Sequence, residues 1–432
     1  MAQTKILPVV IIGAGMSGLG AALTLLERGF PCTILEAQNE PGGLAGSFKI
    51  KDHYYPLGYH HILAEDKPLL KILKKLGLYQ RVSRGKGKVF FARDEKIYNL
   101  ENPRDFLKFP LPIFAKFRFV ILMLYCFIKS NWNMDLGNAR DWLDRIAGRR
   151  VREVIFDPLM DIKYGLPSEH LSANWLGSRL HYREFSKPLG FMAGTDWTKV
   201  LVETLVKRIV ELGGEIITNA AVTRVQIEDN ACAGVSFNKD GAEHNRPARI
   251  VINTAPPHIF QTFSNYTTRP LEQNTYLDAL SVIVEIKEKI PYDFYLLSCL
   301  KPRYSFGGIF MLSALNPTIG TEHKTVLNFF TNLSSAYEPF RAKTPEELMA
   351  AYLADFKKLF GFTPSPLWHH RTLIKNYSPR FLLNYQNPNQ RATVAGLYFA
   401  GNYLTYPVIT STGSAFASGQ QAANYIVDDY GT

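Results

Sequence analysis

Val9 to Glu36 reads VVIIGAGMSGLGAALTLLERGFPCTILE, and this stretch decides the fold. Val9-Val-Ile-Ile12 is a short continuous apolar run, the pattern of a parallel strand buried on both faces. Gly13-Ala-Gly15-Met-Ser-Gly18 follows at once. From Ser17 to Arg28, Leu19, Ala22, Leu23 and Leu26 recur at helical spacing, and Gly29 closes the helix. Cys32-Thr-Ile-Leu35 is a second strand, and Glu36 ends it. Strand, glycine turn, helix and strand make the opening of a doubly wound α/β sheet.

In such a turn the three glycines have different tasks. Gly13 makes the tight bend, Gly15 lets a pyrophosphate approach the backbone, and Gly18 allows close helix–strand packing. The helix N-terminus offers free N–H groups and the positive end of its dipole to phosphate. Glu36 stands eighteen residues after Gly18, where a carboxylate accepts hydrogen bonds from ribose hydroxyls and repels a ribose phosphate. An adenine dinucleotide other than NADP is therefore expected. Gly42-Gly43-Leu44-Ala45-Gly46 is a second glycine cluster, intelligible if backbone also passes close to the far half of a longer dinucleotide.

Outward from this unit, the pattern is mainly helical from about 66 to 185. Asp196 to Leu212 is helical and Gly213-Gly214 breaks it. Strands are expected near Glu215–Thr218, Ala221–Gln226, Ala233–Phe237 and Ile250–Thr254, the last ended by Pro256-Pro257. Residues 276–333 are β-rich, Pro345–Leu359 is helical, Leu397–Ala400 is a last buried strand, and Ser411–Val427 a last helix. This order implies one discontinuous domain of residues 1–65, 193–258 and 392–432. A second, substrate-side domain would comprise 66–192 and 259–391.

The 432 residues carry a formal charge of +11 and are 46% apolar, enough for a large core. No basic run accompanies the charge, which disfavours nucleic acid and leaves an anionic membrane surface or acidic ligand. Phe119–Ile128 (FVILMLYCFI), flanked by Lys116, Arg118 and Lys129, falls short of the roughly 20 residues that span a bilayer. It reads either as a membrane-interface helix or as a buried one. Cys32, Cys126, Cys232 and Cys299 have neither metal-ligand nor redox spacing, which points to reduced thiols. With no signal peptide evident after Met1-Ala-Gln-Thr-Lys5, a cytoplasmic location is expected, with peripheral contact at the inner membrane face as one reading.

GAGMSGLGAALTLLERG, Glu36, Gly42-Gly43, the 193–257 block and the C-terminal GLYFAGNYLTYPVITSTGSAFASGQQAANYI together resemble the flavin amine oxidase superfamily. That group includes protoporphyrinogen oxidases, phytoene desaturases and, more distantly, UDP-galactopyranose mutases. The resemblance implies FAD. Gly13, Gly15, Ser17, Gly18, Glu36, Ala37, Gly43, Leu44 and Ala45 would hold its ADP half and pyrophosphate, with Val222 at adenine. Gly401 and Asn402 would meet the pyrophosphate side, Thr412 and Gly413 the flavin's pyrimidine edge, and Gly58 would pass close to the isoalloxazine.

His60 and His61 are the candidate catalytic pair, since imidazole exchanges protons near neutral pH. Tyr59, Phe306, Gly307, Tyr403 and Tyr406 are the preferred substrate contacts, within a wider aromatic set of Trp175, Tyr182, Phe185, Phe191, Phe310, Phe329 and Phe330. His369-His370 lies before a loop without a third ligand, so no metal is expected. Aligned on the superfamily, the amine-oxidase aromatic-cage position falls at Ser411 and its lysine position at Val284, which argues against amine oxidation.

The expected function is an FAD-dependent oxidase, dehydrogenase or desaturase. Its substrate would be small and hydrophobic, isoprenoid or tetrapyrrole, with O2 or a quinone as electron acceptor. The alternatives are a mutase-like flavoenzyme on a nucleotide sugar, an amine oxidase, or a non-catalytic FAD-retaining scaffold.

Overall fold

A computed structural model describes residues 8–181, 188–320 and 324–431. Met1–Lys5, Tyr182 and Phe185, singled out above, lie outside the described residues. Five parallel strands form the first sheet in the order Leu397–Phe399, Ile250–Asn253, Val9–Ile12, Cys32–Leu35, Glu215–Ile217. Val9 and Ile11 are fully buried, as are Ile250, Val251 and Ile252, because helices and loops cover both faces of a parallel sheet. The strands come from three distant parts of the chain, so the first and last segments are neighbours in space.

Helix Met16–Glu27 packs against the last helix, Thr412–Tyr430, through small residues. A Cβ added to Gly20 would lie 2.5 Å from the Phe416 carbonyl oxygen, and one on Gly419 would lie 1.9 Å from that of Ser17. Ser17 Oγ donates to the Ala415 carbonyl at 2.8 Å across the same contact. The last helix thereby sets its N-terminus beside the glycine turn.

The second sheet has seven strands in the order Pro366–Pro379, Tyr276–Ile286, Thr325–Asn332, Gly308–Met311, Leu296–Lys301, Val89–Arg93, Lys96–Asn99. One face packs on helix Pro345–Phe360 through Phe329, Phe306, Tyr352 and Phe356. The other meets the helical region through Phe310, Phe330, Trp175 and Ile283. The mainly helical reading of residues 66–185 missed strands Val82–Lys86, Val89–Arg93 and Lys96–Asn99. Runs this short have no helical or alternating period to read, and their partners lie elsewhere in the chain. His369 and His370 lie within strand Pro366–Pro379 rather than before a loop, and His370 stacks on Phe48 with centroids 3.9 Å apart.

The apolar stretch ending at Ile128 is a helix from Ile113 to Ile128. Ala115, Leu122 and Cys126 face the core, while Phe114, Phe117 and Phe127 face outward and are exposed. Among the described residues, no helix is long and apolar enough to cross a membrane.

Candidate functional site

A single cavity of about 950 Å³ joins the parallel sheet to the seven-stranded sheet. At the parallel sheet it is lined by Gly13, Gly15, Ser17, Glu36, Ala37, Gly43, Leu44, Ala45 and Val222, and from the end of the chain by Gly401, Asn402 and Thr412. The wall towards the second sheet includes Tyr59, His60, His61, Tyr164, Trp175 and Tyr377.

The glycine turn is built as a cradle. Gly13 has φ +98°, a backbone conformation that favours glycine, and a Cβ there would lie 2.6 Å from Thr254 Oγ1. That hydroxyl donates to the Ile12 carbonyl at 2.7 Å. Gly43, at φ +55°, faces the Gly15 Cα. A Cβ on Gly15 would meet nothing within 4 Å, so the space over it is open to a ligand. Gly15 is also the N-cap of helix Met16–Glu27 and offers no side-chain acceptor, so no side chain at the cap takes up the first-turn N–H groups. Gly18 meets no ligand space. Its Cβ would lie 1.9 Å from the Gly13 carbonyl oxygen, so its part in the site is packing.

Glu36 is 8% exposed and held from two sides. Its Oε2 accepts from the Ala14 N–H at 2.7 Å and its Oε1 from the Gln38 N–H at 2.8 Å. The carboxylate thus fixes the turn as well as facing the cavity, and each oxygen keeps a lone pair for a ribose hydroxyl. These residues fit a dinucleotide: the open space over Gly15 and the helix end would take a phosphate, and Glu36 would meet a ribose.

His60 and His61 have unequal surroundings. His60 and Trp197 meet with perpendicular rings, and His60 Nδ1 is buried without a hydrogen-bond partner. Burial, with His61 adding a smaller repulsion, lowers its pKa to about 4, so at neutral pH it is an uncharged imidazole. His61 Nδ1 shares a hydrogen bond of 2.9 Å with the Tyr295 hydroxyl. Tyr59 stacks on Phe310 with centroids 3.5 Å apart, meets Phe330 edge-on, and accepts a hydrogen bond from the Tyr377 hydroxyl at 3.1 Å. Lys163 and Arg179 join this wall, so it is aromatic with cationic groups rather than purely apolar.

Several expected site residues stand elsewhere. Phe306 is fully buried against Tyr304, Phe329 and Tyr352, in the core that faces helix Pro345–Phe360. Gly307 approaches Ile162 and the Phe330 carbonyl, not the cavity. A Cβ on Gly58 would meet Ile374 and Phe330, while Leu57 and Tyr59 on either side of it line the cavity. Tyr403 is fully buried, and its carbonyl accepts from Tyr385 at 2.5 Å. Tyr406 lies behind the cavity wall, bonding Ser172 Oγ at 2.7 Å and packing on Phe381. Val284 is buried in the core on the helix Pro345–Phe360 side, so it says nothing about amines. Ser411 does line the cavity, with its hydroxyl accepting from the Ser414 N–H as helix cap.

Gly413 follows cavity-lining Thr412 and is covered by the Asp66 carboxylate. Asp66 accepts from the Gly413 N–H at 3.3 Å and from the Leu69 N–H at 3.1 Å. It therefore serves the N-termini of two helices at once, and burial raises its pKa despite those bonds. Sequence reasoning missed Asp66 as a cavity residue, although Asp66 before Lys67-Pro68 is a legible N-cap. It also missed Thr254, at the end of the expected Ile250–Thr254 strand. Tyr295 and Tyr377 carried no local signal, since only the second sheet brings them to His61 and Tyr59.

The family model described as flavin containing amine oxidoreductase matches residues 16–427. The 15-cis-phytoene desaturase of Arabidopsis thaliana is 22% identical over 99% of this chain and 81% of its own. A candidate protoporphyrinogen oxidase from Exiguobacterium sp. 255-15 superposes with a TM-score of 0.79 over 98% of this chain and 99% of its own, at 18% identity. Reduced UDP-galactopyranose mutase superposes with a TM-score of 0.74 at 15% identity, over 98% and 96%. At these identities the structural matches speak for the fold alone.

Proposed function

The chain belongs to the flavin containing amine oxidoreductase family, and from that premise we propose that it oxidises a hydrophobic substrate, an isoprenoid or a tetrapyrrole. It is an FAD-dependent oxidoreductase with a Rossmann-type cofactor fold. The observation that carries the proposal is the continuity of one cavity from the glycine cradle to an aromatic wall. When bound, FAD supplies acceptance of a hydride from a substrate C–H bond, with O2 or a quinone as the final oxidant.

Residues 1–65, 193–258 and 392–432 form the cofactor unit in this reading, and 66–192 with 259–391 the substrate unit. Gly15, Gly43 and the first helix turn hold the pyrophosphate, Glu36 the ribose, and Val222 borders adenine. Gly401, Asn402 and Thr412 close the cofactor groove from the far end of the chain. Tyr59, Trp175 and Tyr377 orient a flat or extended apolar substrate and exclude water. His60 adds an uncharged imidazole to the cavity wall, while the Tyr295 hydroxyl orients His61. Lys163 and Arg179 suit a substrate that carries an acidic group, which favours a tetrapyrrole over a bare hydrocarbon.

The same two cations favour one rival, a mutase-like flavoenzyme acting on a nucleotide sugar. The test is anaerobic mixing of the holoenzyme with porphyrinogens, polyenes, polyamines and nucleotide sugars, read as flavin bleaching. The proposal expects bleaching by a porphyrinogen or polyene. Bleaching by polyamines alone would overturn it, and nucleotide-sugar binding confined to the reduced enzyme would establish the rival.

A further inference from the structure

Helix Ile113–Ile128 inverts the ordinary amphipathic arrangement, in which the outward face is polar. Its outward side chains include Ile113 (64% exposed), Phe114 (82%), Phe117 (67%), Leu124 (55%), Phe127 (64%) and Ile128 (78%). At 100° per residue the exposed apolar positions fall within an arc of roughly 140°, along a helix about 24 Å long. No charged residue interrupts that arc. Lys116 and Arg118 stand at its two edges. Lys116 Nζ turns back to the Leu107 carbonyl at 2.7 Å, and the Arg118 guanidinium donates to the carbonyls of Asp144, Arg145 and Ile146. Leu107 and Met134, in the segments before and after the helix, are also half or more exposed. Monomeric soluble proteins rarely leave so large a contiguous apolar area in water.

The charge around this face is one-sided. From Ile113 to Met134 the charged residues are Lys116, Arg118 and Lys129 with no acid, and the flanking segments add Arg104 and Lys108 against Glu101, Asp105 and Asp135. Asp105 accepts from the Asn99 N–H. Lys129 lies over the Tyr125 and Trp132 rings at the helix C-terminus, an aromatic and basic pairing suited to the headgroup layer. Lys116 is buried, so the accessible cations beside the face are the exposed Arg118 and the partly exposed Lys129, and a twofold dimer through it would bring those of one copy towards those of the other. An anionic bilayer would accept both the apolar arc and these cations.

We propose that the outer face of helix Ile113–Ile128 docks this protein onto an anionic lipid bilayer. The helix lies in the membrane plane, with Phe114, Phe117 and Leu124 below the headgroups. Helix Ala173–His181 lies directly behind it. His181 Nδ1 bonds the Cys126 carbonyl at 2.9 Å, and Gly177 sits against the Trp132 ring. Its other side supplies Trp175 and Arg179 to the cavity. The lipid-facing helix is thus one helix layer from the substrate wall, which suits a substrate taken from the bilayer. Only that last consequence rests on the oxidoreductase proposal.

The test is flotation of the full-length, FAD-loaded chain with vesicles of phosphatidylcholine alone or with about a third phosphatidylglycerol, at low and high salt. Binding to the anionic vesicles, weakened by salt, is expected. The F117E/L124E double variant changes only exposed side chains, so it should retain flavin and melting temperature while vesicle affinity falls at least tenfold, roughly. A fluorophore on Ile121→Cys should shift to the blue with anionic vesicles, and one on Val210→Cys should not. Equal flotation of wild type and F117E/L124E would overturn the proposal. So would a stable dimer that excludes vesicles and dissociates in F117E/L124E. Flotation involves no turnover, so its failure would be distinct from failure of the oxidoreductase reading.

Discussion

Gly15 and Gly18 are three residues apart, and substitution separates two effects that both abolish a site. Space over Gly15 is open, so Gly15→Val should fold with a melting temperature near wild type yet purify with little flavin. Absorbance per folded protein measures this, and undiminished flavin would refute the cradle. His60 gives a prediction in pH. Its folded pKa of about 4 lies below the ordinary 6.5, so the unfolded chain takes up the extra proton between those values. Stability contributed by keeping it neutral is intact above pH 6.5 and is lost as pH falls towards 4, by an amount of order 3 kcal/mol. His60→Gln should flatten that part of the profile, seen as a smaller loss of urea midpoint between pH 7 and 4.5. The tasks of Gly13, Gly15 and Gly18 were legible in sequence because each follows from a local turn and its helix. Phe306 and Gly307 were not, because an aromatic run or a lone glycine does not say which of two cores it faces.

At the scale of elements, termini carry the site. Asp66 holds Leu69 and Gly413 at the starts of two helices, and both helix ends abut the cavity. Asp66→Ala should cost about 1–2 kcal/mol as a lost cap and should also loosen FAD, read as a faster release of flavin in mild denaturant. Thr344→Ala breaks the capping box of helix Pro345–Phe360, on the opposite side of the second sheet. It should cost about 1 kcal/mol and leave flavin release unchanged. Equal flavin release from both variants would mean that Asp66 acts through global stability alone. The capping residue itself was readable from Asp66-Lys67-Pro68. Its second partner, Gly413, was not, because the contact joins residues from opposite ends of the chain. The same separation hid strands Val82–Lys86, Val89–Arg93 and Lys96–Asn99, whose pairing is decided by distant partners.

Across the whole molecule, three chain segments meet in one parallel sheet, and the second sheet closes the cavity against it. The order of strand, glycine turn, helix and acid made the first sheet legible, because each step is local and repeats a known physical requirement for binding phosphate and ribose. The closure was not legible, since Tyr295 reaches His61 and Tyr377 reaches Tyr59 only through long-range strand pairing in the second sheet. If one dinucleotide is gripped where the three segments converge, its binding must order all of them together. Amide hydrogen exchange of the FAD-loaded and deflavinated chain measures this directly. Added protection is predicted together at Gly13–Gly18, Glu36–Ala45, Thr254–Pro256, Gly401–Asn402 and Ser411–Thr412, with none in helix Pro345–Phe360. Protection confined to one of those segments, or found chiefly in helix Pro345–Phe360, would contradict the account.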